Sequence, residues 1–114
     1  MLPKKNRLTS NEDFKNTYLS GSFFSFGEIS IKFSQNNLAE SRIGLAVGKK
    51  YSKLAVERNH AKRILRSALN DFVKNIKPGF DIIVIIKKST ATALTKDTIL
   101  NRLEKIFKKT NLLK

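Results

Sequence analysis

Twelve residues near the middle of the chain, AVERNHAKRILR at 55–66, carry Arg58, Lys62, Arg63 and Arg66 against one acid, Glu57. Cationic groups at that density bind anionic oxygens, Arg offering a planar fork of donors and Lys a compact point charge. The approach adds Lys49, Lys50 and Lys53, so residues 49–66 hold seven Lys or Arg against one Glu, a local net charge of +6. With ~100° per helical residue and Leu65 taken as the core direction, Arg58, Lys62 and Arg66 fall in one band roughly 20° to 100° to its side. Asn59 and Arg63 extend the band outward, and Glu57 and Asp71 lie on the opposite flank. An ordinary solvated helix face would mix signs and pair Glu with Lys four residues on. The segregation points instead to nucleic acid, through phosphate and 2′-hydroxyl contacts that give affinity and position rather than sequence reading.

The rest of the composition agrees. In 114 residues, 23 Lys plus Arg stand against 9 Asp plus Glu, a formal net charge of +14 with a pI near 10.3. Self-repulsion on that scale is relieved by a polyanionic partner. A membrane partner is not expected: the longest apolar run, IIVII at 82–86, is far too short to span, and MLPKKNRLTSNEDF lacks the apolar core of a signal peptide. The expectation is a cytoplasmic protein. Without Cys there is no disulfide framework, thiolate zinc site or Cys nucleophile.

Catalytic chemistry is hard to assemble from the remaining residues. His60 is the only histidine, with no second ligand at metal-binding spacing, and reads as a surface residue or an RNA contact. Glu12 and Asp13 are first-turn helix acids rather than an acid/base pair. No phosphate-cradling glycine loop or nucleophile elbow is present. No catalytic residue and no protein-bound metal or cofactor is expected. Phe14 and Tyr18, four apart on one helical face, admit two readings. Such a pair is most often core; the alternative is that it lines a groove between the first helix and the sheet, where unpaired bases stack, with Ser30 and Lys32 on the sheet side.

The elements that must position these residues follow from periodicity. TSNEDFKNTYLSG predicts a short helix capped by Thr9 or Ser10 and stopped at Gly21. FGEISIKFSQ alternates Ile29, Ile31 and Phe33 with Glu28, Ser30 and Lys32, the period of a half-buried strand. RIGLAVGKK is a second such run, expected to pair with the first as an antiparallel ribbon; a bend at Gly27 could split the first run in two. A long helix is expected from about Ala55 to about Ile76, with Ala61, Leu65, Ala68, Leu69, Phe72 and Ile76 as its apolar stripe and KPGF as its stop. FDIIVIIKK suits a strand covered on both faces, and TKDTILNRLEKIFKK a helix with Ile99, Leu103, Ile106 and Phe107 inward. The class is α+β, helices packed on a sheet.

AVERNHAKRILR resembles the Arg-Asn-Arg signature helix of the bacterial ribonuclease P protein subunit, with Ala55, Arg58, Asn59, Lys62, Arg63 and Arg66 at the signature positions. RLTSNEDFKNTY resembles that family's first helix, RIGLAVGKK its strand into the basic loop and DIIVIIKK its last strand. The resemblance implies an α-β-β-β-α-β-α sandwich in one domain, residues 1–114, with a basic N-terminal arm at 1–8. It also implies a central, mostly antiparallel sheet and a left-handed β-α-β crossover, where the general rule favours right-handed. The implied role is to serve a catalytic RNA that cuts the 5′ leader from precursor tRNA, the Mg²⁺-assisted hydrolysis belonging to the RNA. Arg58, Asn59, Lys62, Arg63 and Arg66 would lie on that RNA, with His60 beside them. Phe14, Tyr18, Ser30 and Lys32 would line the groove for the single-stranded leader, and Lys49, Lys50 and Lys53 the loop beside it. His60 stands where the family commonly has its second signature Arg, and Ser30 and Lys32 where apolar or aromatic groove residues are common. The rival readings are a ribosomal or other structural RNA-binding protein, a DNA-binding regulator and a protein-only nuclease, which would cleave without RNA. The second would need a partner helix just upstream of the basic one, where strand and loop are expected instead, so no DNA partner is anticipated.

Overall fold

The computed structural model describes residues 3–88 and 94–114. Seven main elements run in the order α1 (Asn11–Ser20), β1 (Ser22–Phe26), β2 (Ile29–Gln35), β3 (Arg42–Ala46), α2 (Ala55–Asn70), β4 (Phe80–Ile86) and α3 (Lys96–Lys109). The α-β-β-β-α-β-α order is the expected one. Gly27, at φ 61°, makes the turn that separates β1 from β2, a conformation that costs an L side chain strain.

The strands form one sheet in the order β1-β2-β4-β3, with β1-β2 and β2-β4 antiparallel and β3-β4 parallel. The expected ribbon between the FGEISIKFSQ and RIGLAVGKK runs is therefore not formed. β4 lies between them, because FDIIVII is apolar on both sides and only a central position buries both. α2 makes the crossover that joins the parallel neighbours β3 and β4.

Alternation sorts the sheet into two faces. Ile29, Ile31, Ile82, Val84 and Ile43 point to the side covered by α2 and α3 and are sealed there with Ala61, Leu65, Ala68 and Leu69 of α2. Ile99, Leu103, Ile106 and Phe107 of α3 complete this core, as their spacing predicts. Each such side chain removed from water contributes ~1.5–3 kcal/mol before entropy is counted. The other face carries Lys32, Ile83 and Gly44 in one row, with Ser30, Ile85 and Ala46 in the next, and α1 crosses it over β2 and β4.

Two further expectations need correction. α2 stops at Asn70 rather than Ile76: the Asp71 amide donates to the Ala68 and Leu69 carbonyls, and a tighter turn follows at Val73–Asn75. The chain leaves the helix because the C-terminus competes for it. Ile76 bridges to Leu113, the Lys77 amide donates to the Leu112 carbonyl, and Phe72 packs edge-on against Phe107 with ring centroids 5.4 Å apart. Glu28, expected on the solvated side of a strand, sits buried in the turn before β2, where Arg102 Nε donates to its carboxylate at 3.1 Å.

Candidate nucleic-acid interface

α2 forms because nothing in residues 55–70 breaks a helix and an apolar face is available to bury. Its N-cap, Leu54, has no capping side chain, and the preceding loop is fastened to the first turn by other bonds. The Leu54 amide donates to Ser52 Oγ at 3.1 Å, and the Ser52 hydroxyl donates to the Glu57 carboxylate in the first turn. Arg58 reaches back to donate to the Ser52 carbonyl at 2.9 Å. The loop carrying Lys49, Lys50 and Lys53 is thus tied to the start of the helix, and the three lysines themselves are exposed.

Exposure around α2 follows the angular order read from the sequence. Arg58 and Lys62, nearest the buried stripe, are half-buried; Arg66, Asn59, Arg63 and His60 are exposed. Among the described residues, no carboxylate is paired with Lys62, Arg63 or Arg66. The acids that border the band are taken by other elements: Lys88, just past β4, meets Glu57 at 3.3 Å, and Lys96 of α3 meets Asp71 at 3.4 Å. The Ser52 hydroxyl first, and Lys88 second, hold the Glu57 carboxyl below the usual carboxylate range. Their combined effect is a cationic surface whose nearest negative charges are already engaged.

The band borders two hollows. On one side Lys62 and Arg66 overhang the edge strand β3 beside Arg7, Leu8 and Thr9; on the other Asn59, His60 and Arg63 share a depression with Tyr51, Val56 and Lys88. The N-terminal segment closes the β3 edge, since the Leu8 amide donates to the Ile43 carbonyl and the buried Asn6 side chain donates to the Ser41 carbonyl. Residues 3–8 of the basic arm therefore run alongside β3, and its first two residues lie outside the described ones.

The four residues expected to line a groove fall on the α1 side of the sheet, Phe14 against β3 and Tyr18 against Lys32 of β2. Ser10 caps α1, its Oγ accepting from the Asp13 amide, and Gly21 ends it. Phe14 lies half-buried over Gly44, so close that a Cβ on that glycine would stand 2.9 Å from the ring. Phe14 is thus the floor-packed member of the pair, and Tyr18 the open one at 42% exposure. Lys32 Nζ sits 4.0 Å from the Tyr18 ring centroid and donates to the Tyr18 carbonyl at 2.7 Å. Ser30, half-buried, lies one row nearer the end of the sheet from which the lysine loop departs. Behind them Arg42 clamps the helix to the sheet, donating to both oxygens of buried Asp81 at 2.8 and 2.7 Å and to Asp13 at 3.2 Å. The hydrogen bond to Asp81 raises the Arg42 pKa further.

Both the sequence and the fold of this chain match known proteins. The Ribonuclease P family model matches residues 2–111. The chain belongs to the ribonuclease P protein family. The ribonuclease P protein component of Pseudanabaena sp. is 40% identical over 87 residues, 75% of each chain, and that of Synechocystis sp. is 34% identical over 107 residues, 93% of this chain and 86% of the other. The Staphylococcus aureus ribonuclease P protein superposes with a TM-score of 0.80 at 29% identity, over 96% of this chain and 98% of its own. The Thermotoga maritima protein gives 0.78 at 27% identity, over 90% and 96%. The fold is thus that of a ribonuclease P protein, a component of a tRNA-processing ribonucleoprotein endonuclease.

Reading the sequence did not reveal every residue at these surfaces. Lys88 and Lys96, which neutralise the flanking acids, come from elements 31 and 25 residues away in sequence from their partners, as residue numbers show. Phe23 on β1 was also missed. Its signal was present in SFFSF, where alternation puts Phe23 opposite to Phe24 and Phe26.

Proposed function

We propose that the chain is the protein subunit of a ribonuclease P ribonucleoprotein, binding the catalytic RNA through α2 and the single-stranded 5′ leader of precursor tRNA in the groove under α1. Arg58, Asn59, Lys62, Arg63 and Arg66 contact the RNA backbone, His60 adds a polar contact, and Lys49, Lys50 and Lys53 hold phosphates where RNA and leader approach one another. Phe14, Tyr18, Ser30 and Lys32 receive the leader. The observation that carries this reading is the arrangement of charge on α2. Among the described residues its outer cations lack carboxylate partners, while Glu57 and Asp71, the acids beside them, are paired to Lys88 and Lys96. Such a surface gains counterion-release free energy from a polyphosphate and loses little to like-charge repulsion.

Bond cleavage is assigned to the RNA. The buried carboxylates Glu28 and Asp81 are each committed to a guanidinium, and no three His, Asp or Glu side chains converge among the described residues. The protein's contribution is cationic and aromatic, and the Mg²⁺-assisted hydrolysis belongs to the RNA. Leader removal at low Mg²⁺ by a bacterial ribonuclease P RNA, with and without the protein, tests the reading: the protein should lower the Mg²⁺ needed, and should cleave nothing alone. Equal affinity of the assembled enzyme for precursor tRNA with and without its leader would instead favour a structural RNA-binding role of the ribosomal kind.

A further inference from the structure

We propose that Phe23 of β1 is a base-stacking residue of the leader groove, extending it past Lys32 to the open edge of the sheet. The proposal rests on the leader reading above. In β1 the side chains alternate. Phe24 packs against the core, and Phe26 lies under the cations of α3, with Lys105 Nζ 5.1 Å from its ring centroid. Phe23 must then face the α1 side. There α1 crosses β2 and β4, and Phe23 remains 59% exposed. An uncovered Phe on an edge strand is a liability for solubility and strand pairing unless something uses it.

Its cross-strand partner is Lys32, the residue whose ammonium lies over the Tyr18 ring. Directly opposed residues in an antiparallel pair have Cβ atoms ~5 Å apart, so Phe23, Lys32 and Tyr18 form a row of ring, cation and ring. Ser25 and Ser30, an opposed pair in the next row of the same face, are small and leave space beside the Phe23 ring. This chemistry selects single-stranded nucleic acid: successive bases stack on aromatic faces while a cation between them meets the linking phosphate. An apolar protein segment laid on the same row would bury Lys32 without a counter-charge.

The test measures affinity of the enzyme assembled with ribonuclease P RNA for precursor tRNAs whose leaders are lengthened one nucleotide at a time. Phe23→Ala should weaken binding about tenfold, the range of one lost stacked base, but only for leaders long enough to reach β1. Affinity for leaderless tRNA should not change. Phe23→Tyr should retain the parent's leader dependence, and Phe23→Leu, which keeps apolar bulk but has no ring, should lose it. Because Tyr preserves β propensity at this exposed position, the Tyr and Leu variants separate stacking from any folding effect of Ala. Parent-like binding of long leaders by both Phe23→Ala and Phe23→Leu, with Tyr18→Ala still weakened, would overturn the proposal and leave the groove intact. Absence of any leader dependence in the parent would overturn the groove reading itself.

Discussion

Replacing Arg63 by Ala removes one exposed guanidinium from the outer part of the basic band and almost nothing else. The side chain has no ion pair among the described residues, faces away from the Leu65 stripe, and borders hollows shared with His60 on one side and Arg66 on the other. Its loss should cost stability no more than ~0.5 kcal/mol, as for other surface changes, which shifts the melting temperature by roughly 2–4 °C at this size. Its loss from the RNA complex should be larger. One solvent-exposed charge pair is worth up to ~1 kcal/mol, or about fivefold in affinity. One fewer neutralised phosphate also flattens the plot of log affinity against log salt by about 0.9. The gap between parent and variant should therefore narrow by nearly a factor of two for each doubling of salt. Filter binding of ribonuclease P RNA across a salt series, with a thermal melt of the free protein, reads both quantities. A variant that unfolds, or one whose deficit stays constant with salt, would refute the outward placement of Arg63 or its role as a phosphate contact.

Three other changes probe the scaffold. Arg42→Ala strands the 5%-exposed Asp81 with Asn36 as its remaining side-chain donor, and should cost about 3 kcal/mol in urea unfolding. An added Asp81→Ala should recover part of that loss, and full additivity would argue against a direct pair. Gly44→Ala drives a methyl to 2.9 Å from Phe14 Cε2, so overpacking should cost about 1–3 kcal/mol and tilt the ring from its seat, weakening leader binding alongside stability. Glu57 has a folded pKa below its unfolded one, so the tie it makes to Ser52 and Lys88 is present at neutral pH and lost as pH falls through that depressed value. Carboxyl NMR titration should find that Ser52→Ala and Lys88→Ala each raise the Glu57 pKa, since the hydroxyl supplies the largest single cause and the lysine both a hydrogen bond and its charge.

Elements whose signal is local were legible. The stripe of α3, the two-sided apolar run of β4 and the charge sorting of α2 each depend on spacing within one segment, and each is where periodicity puts it. Choices between distant partners were not. β2 could pair equally well with β3 or β4 by hydrophobicity, and the burial demand of β4 decided it. The 3-4 apolar pattern continues through Phe72 and Ile76, so nothing in the segment marks Asn70 as the end of α2; the contacts of Ile76 and Lys77 with the C-terminal residues do. Glu28 shows the same limit, since Arg102 lies 74 residues away. At the candidate interface, the aromatic pair Phe14 and Tyr18 was ambiguous for a physical reason: the two share one helix face, yet one packs on Gly44 and the other stays open under Lys32.

The edge of β3 explains why the two candidate surfaces are neighbours. An uncovered edge strand presents free backbone donors and acceptors to any other chain. Here the N-terminal segment pairs along it through Arg7 and Leu8, while Lys62 and Arg66 of α2 overhang it from the opposite face of the sheet. The same covering that blocks strand addition thus sets Arg7, Lys62 and Arg66 at the border between the groove under α1 and the band on α2. Phosphates bound on either side within a Debye length of these cations would share their field. Binding of RNA to α2 should then weaken the local attraction for the leader rather than strengthen it, unless the RNA also confines the leader. Cooperative leader binding in the assembled enzyme would accordingly report positioning by the RNA, since charge alone predicts the opposite sign.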